Sequence, residues 1–399
     1  MRHSRSGKHR LVRERPVRLI SMLLKRISIQ LLFSAAMLAQ QQPQELITGL
    51  QAPQKVILTP GGNLLVSETS LAVNSGRVSR VSRAGVRQSL IEALPSGIEV
   101  TGGGSGPTAM LLRDRILYVA IGGGDYERRG AVAGTSIHNP AGPSSPLFTS
   151  ILAFQLSAEV DAVGAPFSLT PAHQLAISDG AEVELSNGAG ATAKVSLLTR
   201  FPVSEFDPNA IYRFCNLWGL ALTPDGRGLY VNDASNNSLS RVDLATGRWQ
   251  RLMRFAPTRN PGPVGPPVVD AVPTTVRIYG DQVLVSFLTG FPFNSGEARV
   301  LAFNPEQRTV EPFIGGLTSA TDVLWHTRSN GASRFYVLEF STNQSATPAA
   351  PGRLLRFDGP NPEVLVSNLR APTSLAYDAA TGDLFILELS GRLLRLATQ

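Results

Sequence analysis

The chain contains one cysteine, Cys215, in 399 residues. No disulfide can form within it, so in any compartment its stability must come from its core. It also lacks a charge excess along most of its length. The formal net charge is +7, but nine bases and only one acid fall in residues 1–39, leaving 28 bases against 29 acids in residues 40–399. A nearly neutral body offers no basic face for nucleic acid, and no nucleic-acid partner is expected. Glycine and proline, by contrast, are plentiful (37 and 28) and dispersed, and 43% of residues are hydrophobic. That composition excludes a disordered chain and a collagen-like fibre, and it supplies a sizeable core.

The basic N-terminal stretch is followed by an uncharged run, Ile27 to Ala39, then by the polar QQQPQE of Gln40 to Glu45. A basic region, a short apolar segment and a small-residue exit make a secretory signal peptide over residues 1–39. Cleavage after Ala36 or Ala39 fits, and Met22 would begin a signal of conventional length. The run is too short to span a bilayer comfortably. The expected mature protein is secreted or periplasmic, with no stable membrane span once the signal is removed.

The body repeats itself. One pattern, a Pro or small residue, two polar or small residues, an apolar strand, a turn and an L-x-V strand, occurs six times. It begins at Ala52, Gly106, Asn216, Val272, Ser319 and Ala371. The turns contain PGG, PDG and ATGD, as tight hairpins require. No copy has a 3.6-residue period, so the segments read as strands. A third strand follows each copy and a fourth follows five of them; the sixth copy runs out at Gln399, while QELITGL (Gln44 to Leu50) matches the fourth-strand pattern at the other end. Four-stranded antiparallel units near 50 residues apart describe an all-β six-bladed β-propeller closed by its N-terminal strand. The interval of 110 residues between the second and third copies is twice the others. It holds either a degenerate seventh blade or an insertion, residues 157–194, between the third and fourth strands of blade two. Six complete signatures favour the insertion, within a single propeller domain spanning 40–399.

The segments LITGLQAPQKVILTPGGNLLVSE, FPVSEFDPNAIYRFCNLWGLALTPDGRGLYVNDASNNSLSRVD and, above all, VLVSFLTGFPFNSGEARVLAF (Val283 to Phe303) resemble the ScyD/ScyE family. These are exported propeller proteins associated with biosynthesis of the sunscreen scytonemin, with blades like those of NHL repeats. The resemblance runs over residues 44–399 except the insertion. It implies six blades and export; it implies no catalytic residue set, and no role in making scytonemin.

Propellers usually bind ligands where the inner strands meet the channel mouth. Aligning the repeats there selects two rings. Just before the inner strands stand Gln54, Thr108, Trp218, Thr274, Thr321 and Thr373, followed by Lys55, Ala109, Gly219, Thr275, Asp322 and Ser374. At the exit of the L-x-V strand stand Glu68, Ile121, Asp233, Phe287, Glu339 and Glu388. The four acids can be read as oxygen ligands for calcium or another divalent cation, with Asn216 assisting. They can be read as a general-base site, or as loop caps repeated because the architecture needs them. Lys55, Trp218, Asp322 and Phe287 break the symmetry, which is what a site does.

Other chemistry finds less support. Asn216 in NLWGL resembles the Asn-Gly strand start of gluconolactonase-type propellers, but no Glu begins blade one. No blade begins with the His that quinone-dependent sugar dehydrogenases use, and His138, His173 and His326 are scattered. The glycine runs Gly102 to Gly104 and Gly122 to Gly124 precede no helix and read as loop flexibility rather than a phosphate cradle. Cys215 reads as a buried small hydrophobe. The sequence therefore points to a binding or scaffold module for a small molecule, glycan or protein, using Lys55, Asn216, Trp218, Thr274, Thr321 and Thr373. The alternative is a metal-dependent lactonase or esterase with Glu68, Asp233, Glu339 and Glu388 as ligands and Asp322 or Glu68 as base.

Overall fold

A computed structural model describes residues 42–131, 136–207 and 211–398; the signal peptide expected over residues 1–39 lies outside them. The fold is the six-bladed propeller that the repeats predict. The inner strands are Pro53–Leu58, Pro107–Arg113, Leu217–Leu222, Pro273–Tyr279, Ala320–Thr327 and Pro372–Asp378. Each heads a sheet of antiparallel neighbours in sequence order. The sixth sheet takes its outer strand from the other end of the chain. Gln44–Ile47 pairs antiparallel with Arg392–Ala397, with Gln44 opposite Arg395, so the first strand covers what would otherwise be an open edge.

The strands form because their side chains alternate, and in a propeller both faces of a blade are buried. In blade one's second strand, Leu64 and Val66 pack towards blade six while Leu65 packs towards blade two. The core accordingly falls into six apolar clusters, one at each junction between adjacent blades. No blade has a core of its own, so each depends on its neighbours.

Residues 157–194 leave blade two after its third strand, Ser150–Leu156, and return to it at Thr192–Arg200. Between these, Phe167–Ser168 adds in parallel to the outer strand of blade one and Val183–Ser186 adds to the outer strand of blade two. The helix Pro171–Ser178 lies between them in sequence, with the Thr170 side chain capping its N-terminus and proline at its first position. Asp161 ties the segment to the first turn of blade one, accepting from Thr59 Oγ1, Gly61 N and Asn63 Nδ2 at 2.8–2.9 Å. The segment thus braces the junction of blades one and two.

Candidate functional site

Every inner strand begins with the same irregularity. The register against the second strand slips between Pro53 and Lys55, and equivalently between Pro107 and Ala109, Leu217 and Gly219, Pro273 and Thr275, Ala320 and Asp322, and Pro372 and Ser374. The skipped residue is the first-ring residue in all six blades. A bulge re-aims its side chain, and the threonines reach the next blade instead of opening onto the channel. Thr108 Oγ1 donates to Leu217 O (2.6 Å), Thr274 to Ala320 O (3.0 Å), Thr321 to Pro372 O (3.0 Å) and Thr373 to Pro53 O (3.3 Å). All four are buried. Thr274, Thr321 and Thr373, read from the sequence as ligand-binding, are therefore latches between blades. Trp218 occupies this position in blade three, half-buried, and its indole nitrogen has no acceptor among the described residues.

The acid ring is equally committed. Glu68 accepts from the Gln51 backbone N–H (2.6 Å) and from Arg87 (2.7 Å), Glu388 from the Arg370 N–H (2.7 Å) and from Arg392, and Glu339 from the Thr318 N–H (2.7 Å) and from Arg353. Each glutamate caps the N–H two residues before its inner strand. Asp233, one methylene shorter, caps the N–H one residue before, that of Asn216, at 2.9 Å, and also accepts from Asn236 Nδ2 at 2.7 Å. In blade four Phe287 replaces the acid and Arg299, in register with it, lies 5.3 Å above its ring. These oxygens already hold backbone donors, and those of the three glutamates hold arginines as well. Among the described residues no three His, Cys, Asp or Glu side chains gather around a common point. The ring does not provide the donor set of a calcium or zinc site, and Glu68, fully buried against Arg87, is not placed to act as a base.

In the second row, Lys55, Thr275, Asp322 and Ser374 come together across the ring, while Ala109 packs in the core between blades two and three. Lys55 Nζ reaches Thr275 Oγ1 at 2.6 Å, in blade four, the opposite blade in a ring of six, and stands 3.9 Å from Asp322. Asp322 is fully buried. It accepts from Arg277 (3.0–3.3 Å), the Leu375 N–H (2.9 Å) and Ser374 Oγ (3.2 Å). A salt-bridged network therefore crosses the channel. Arg277 and Lys55 outweigh burial and hold the Asp322 carboxyl below the usual carboxylate range, which makes it a weak base. Burial lowers Lys55 to about 8, since a single carboxylate shared with a second cation does not offset desolvation. Beside the network, Asn232 is wholly buried with neither amide atom hydrogen-bonded. It fills the space that Gly219 leaves, for a Cβ there would lie 2.8 Å from Asn232 Oδ1.

Apart from the segment after Leu156, the long loops leave from the end of the blades where the inner strands start. They carry a pocket of about 160 Å³ between blades two and three, lined by Glu99, Thr101, Tyr126, Glu127, Phe214, Asn216 and neighbours. Here the carboxylates are held differently: His138 stands opposite Glu127 across a short hairpin, and arginine is not their partner among the described residues. Glu99 accepts only from Thr101 Oγ1 (2.6 Å) and Glu127 only from Ser136 Oγ (2.5 Å), and neither has a lysine or arginine partner among the described residues. Burial pushes both carboxyls up; for Glu127 the Ser136 hydroxyl and His138 oppose the rise, and the charge of Glu99 adds to it. The glycine run read as flexible is packing: a Cβ on Gly124, which has φ +67°, would fall 2.2 Å from the Phe148 ring, and one on Gly123 would fall 2.6 Å from Cys215 O. Cys215 is buried beside Asp233, and burial first, then that carboxylate, pushes its thiol well up. Of the residues singled out in the sequence as ligand-binding, only Asn216 lines this pocket. Glu99 lies in a loop and Glu127 begins a short hairpin strand, Glu127–Arg129, both outside the repeat; the glycine runs beside them were the visible signal.

No family model matches the chain, and no curated protein does. Solved structures similar to it include a putative oxidoreductase (glucose dehydrogenase) from Thermus thermophilus, 14% identical, with 89% of this chain and 99% of that one covered at a TM-score of 0.49. An auxiliary nutrient binding protein from Bacteroides thetaiotaomicron is 8% identical over 87% of this chain and 69% of that one, at a TM-score of 0.47. A putative 6-phosphogluconolactonase from Bacteroides uniformis is 13% identical over 85% of this chain and 78% of that one, at a TM-score of 0.43.

Proposed function

We propose that the protein is an exported binding module of ScyD/ScyE type, and that it holds a small ligand bearing hydroxyl and ammonium groups, an amino sugar in class, in the pocket between blades two and three. One observation carries the reading: Glu99 and Glu127 line a pocket and have no lysine or arginine partner among the described residues, whereas each carboxylate of the channel ring is capped and the three glutamates are paired with arginine. An ammonium group entering there supplies the missing counter-charge, hydroxyls find acceptors on both glutamates and the Asn216 amide, and Tyr126 and Phe214 offer ring faces. The N-terminal segment and the LTGFPF resemblance support export and the family.

Calorimetric titration with glucosamine and with glucose tests it. Glucosamine is expected to bind the more tightly, and Glu99→Gln and Glu127→Gln each to weaken it by about tenfold, the scale of a charged hydrogen bond. Because both carboxyls protonate above the usual range, affinity should fall on acidification earlier than ordinary carboxylates would dictate. Unchanged affinity in both variants refutes the assignment.

A further inference from the structure

The inner strands end, at the opposite end of the blades, around a second pocket of about 380 Å³. Its lining includes Ile57 and Leu58 of blade one, Arg277 and Ile278 of blade four, Trp325 of blade five and Tyr377 of blade six. The walls are hydrocarbon and aromatic, and Arg277 is the one charged residue among them. Its Nε and Nη2 are engaged by Asp322, and Nη2 also by the Leu375 carbonyl. Nη1 has no acceptor among the described residues, and the side chain is 30% exposed.

The charge around the axis does not balance. Lys55 and Arg277 both converge on Asp322, leaving one positive charge in excess, and among the described residues no acid lines the pocket. A surplus cation at the floor of an apolar cavity is costly until an anion reaches it. One free guanidinium edge suits a monoanion, and the walls suit an apolar body; a phosphate would need more donors than the pocket offers. We propose that this pocket binds a small amphipathic carboxylate, with its carboxylate on Arg277 and its apolar part against Trp325 and Tyr377. The site is separate from the Glu99–Glu127 pocket and stands or falls without it.

The test is calorimetry on the full chain with 4-phenylbutyrate and its uncharged amide, 4-phenylbutanamide. One saturable site is expected, with the carboxylate at least about tenfold tighter than the amide, as a hydrogen bond to a charged group would give. Leu58→Glu puts a like charge at the half-buried rim without touching Asp322, and should weaken 4-phenylbutyrate at least about tenfold while leaving glucosamine titrations unchanged. Arg277→Met should do the same; if it fails to fold, the comparison of carboxylate with amide and the Leu58→Glu variant decide. Equal binding of the amide, wild-type affinity in folded Leu58→Glu, or no saturable binding of 4-phenylbutyrate would each overturn the proposal.

Discussion

Lys55 offers a test of the channel network that does not depend on any ligand. It is buried, hydrogen-bonded to Thr275 across the ring, and its pKa is lowered from 10.5 to about 8. At 1.36 kcal/mol per pKa unit, the folded protein disfavours the charged form by about 3 kcal/mol, even with Asp322 nearby. Below pH 8 both folded and unfolded chains carry the proton, so this burden is fully present. Between pH 8 and 10.5 the unfolded chain holds a proton that the folded chain has released, and Lys55 contributes increasing stability as pH rises. Lys55→Met keeps the volume and removes the titration, while Asp322 retains Arg277, Ser374 and the Leu375 N–H. Whatever its packing does, the stability of Lys55→Met relative to wild type should fall by about 2 kcal/mol between pH ~7 and pH ~9.5, most of the full span. Urea unfolding of both proteins at the two pH values measures it. A constant difference would show that Lys55 keeps an ordinary pKa, and that water or an anion neutralises the axis.

Two further substitutions examine the architecture. Thr321→Val removes the hydroxyl that bridges to Pro372 O and its own blade's Leu338 O while preserving shape. It should cost about 1–2 kcal/mol in urea unfolding, and no loss would mean that the latch adds nothing to the contact between blades. Gly219→Ala drives a Cβ against Asn232 and the Val276 N–H and should cost about 1–3 kcal/mol. Blade two has Ala109 opposite Ala120 in the same register, so Gly219→Ala with Asn232→Ala should recover most of that loss, and failure to recover would place the cost elsewhere.

The blades were legible because strand alternation and hairpin turns are local, and because the missing fourth strand had a match at the other end of the chain. The roles of the rings were not legible. Position in a repeat says which residues are equivalent, but a bulge at the start of each inner strand decides where they face, and a register slip of one residue leaves no mark on an alignment. Lys55 and Asp322 stood out as departures from symmetry, whereas Arg277, which completes their network, sits two residues beyond Thr275 and outside both rings. The helix at Pro171 carried its usual signal, a Thr–Pro pair at the start, inside a segment without the repeat pattern.

The same distinction separates frame from site. A residue type that recurs from blade to blade meets the same neighbours in each, so its partners are those every blade must supply: an N–H to cap, an arginine across the sheet, a carbonyl on the next blade. Asp233 supports this, because shortening the acid moves the cap by one residue and leaves the function in place. Blade four supports it differently, because Arg299 keeps its position and finds an aromatic ring when the carboxylate is gone. Groups left with charge to share are those that no repeat dictates: Glu99 and Glu127, between the blade strands at one end of the channel, and Arg277 at the other. Lys55 and Asp322 line neither pocket, their partner Arg277 lines one, and the two ends offer a ligand groups that differ in sign.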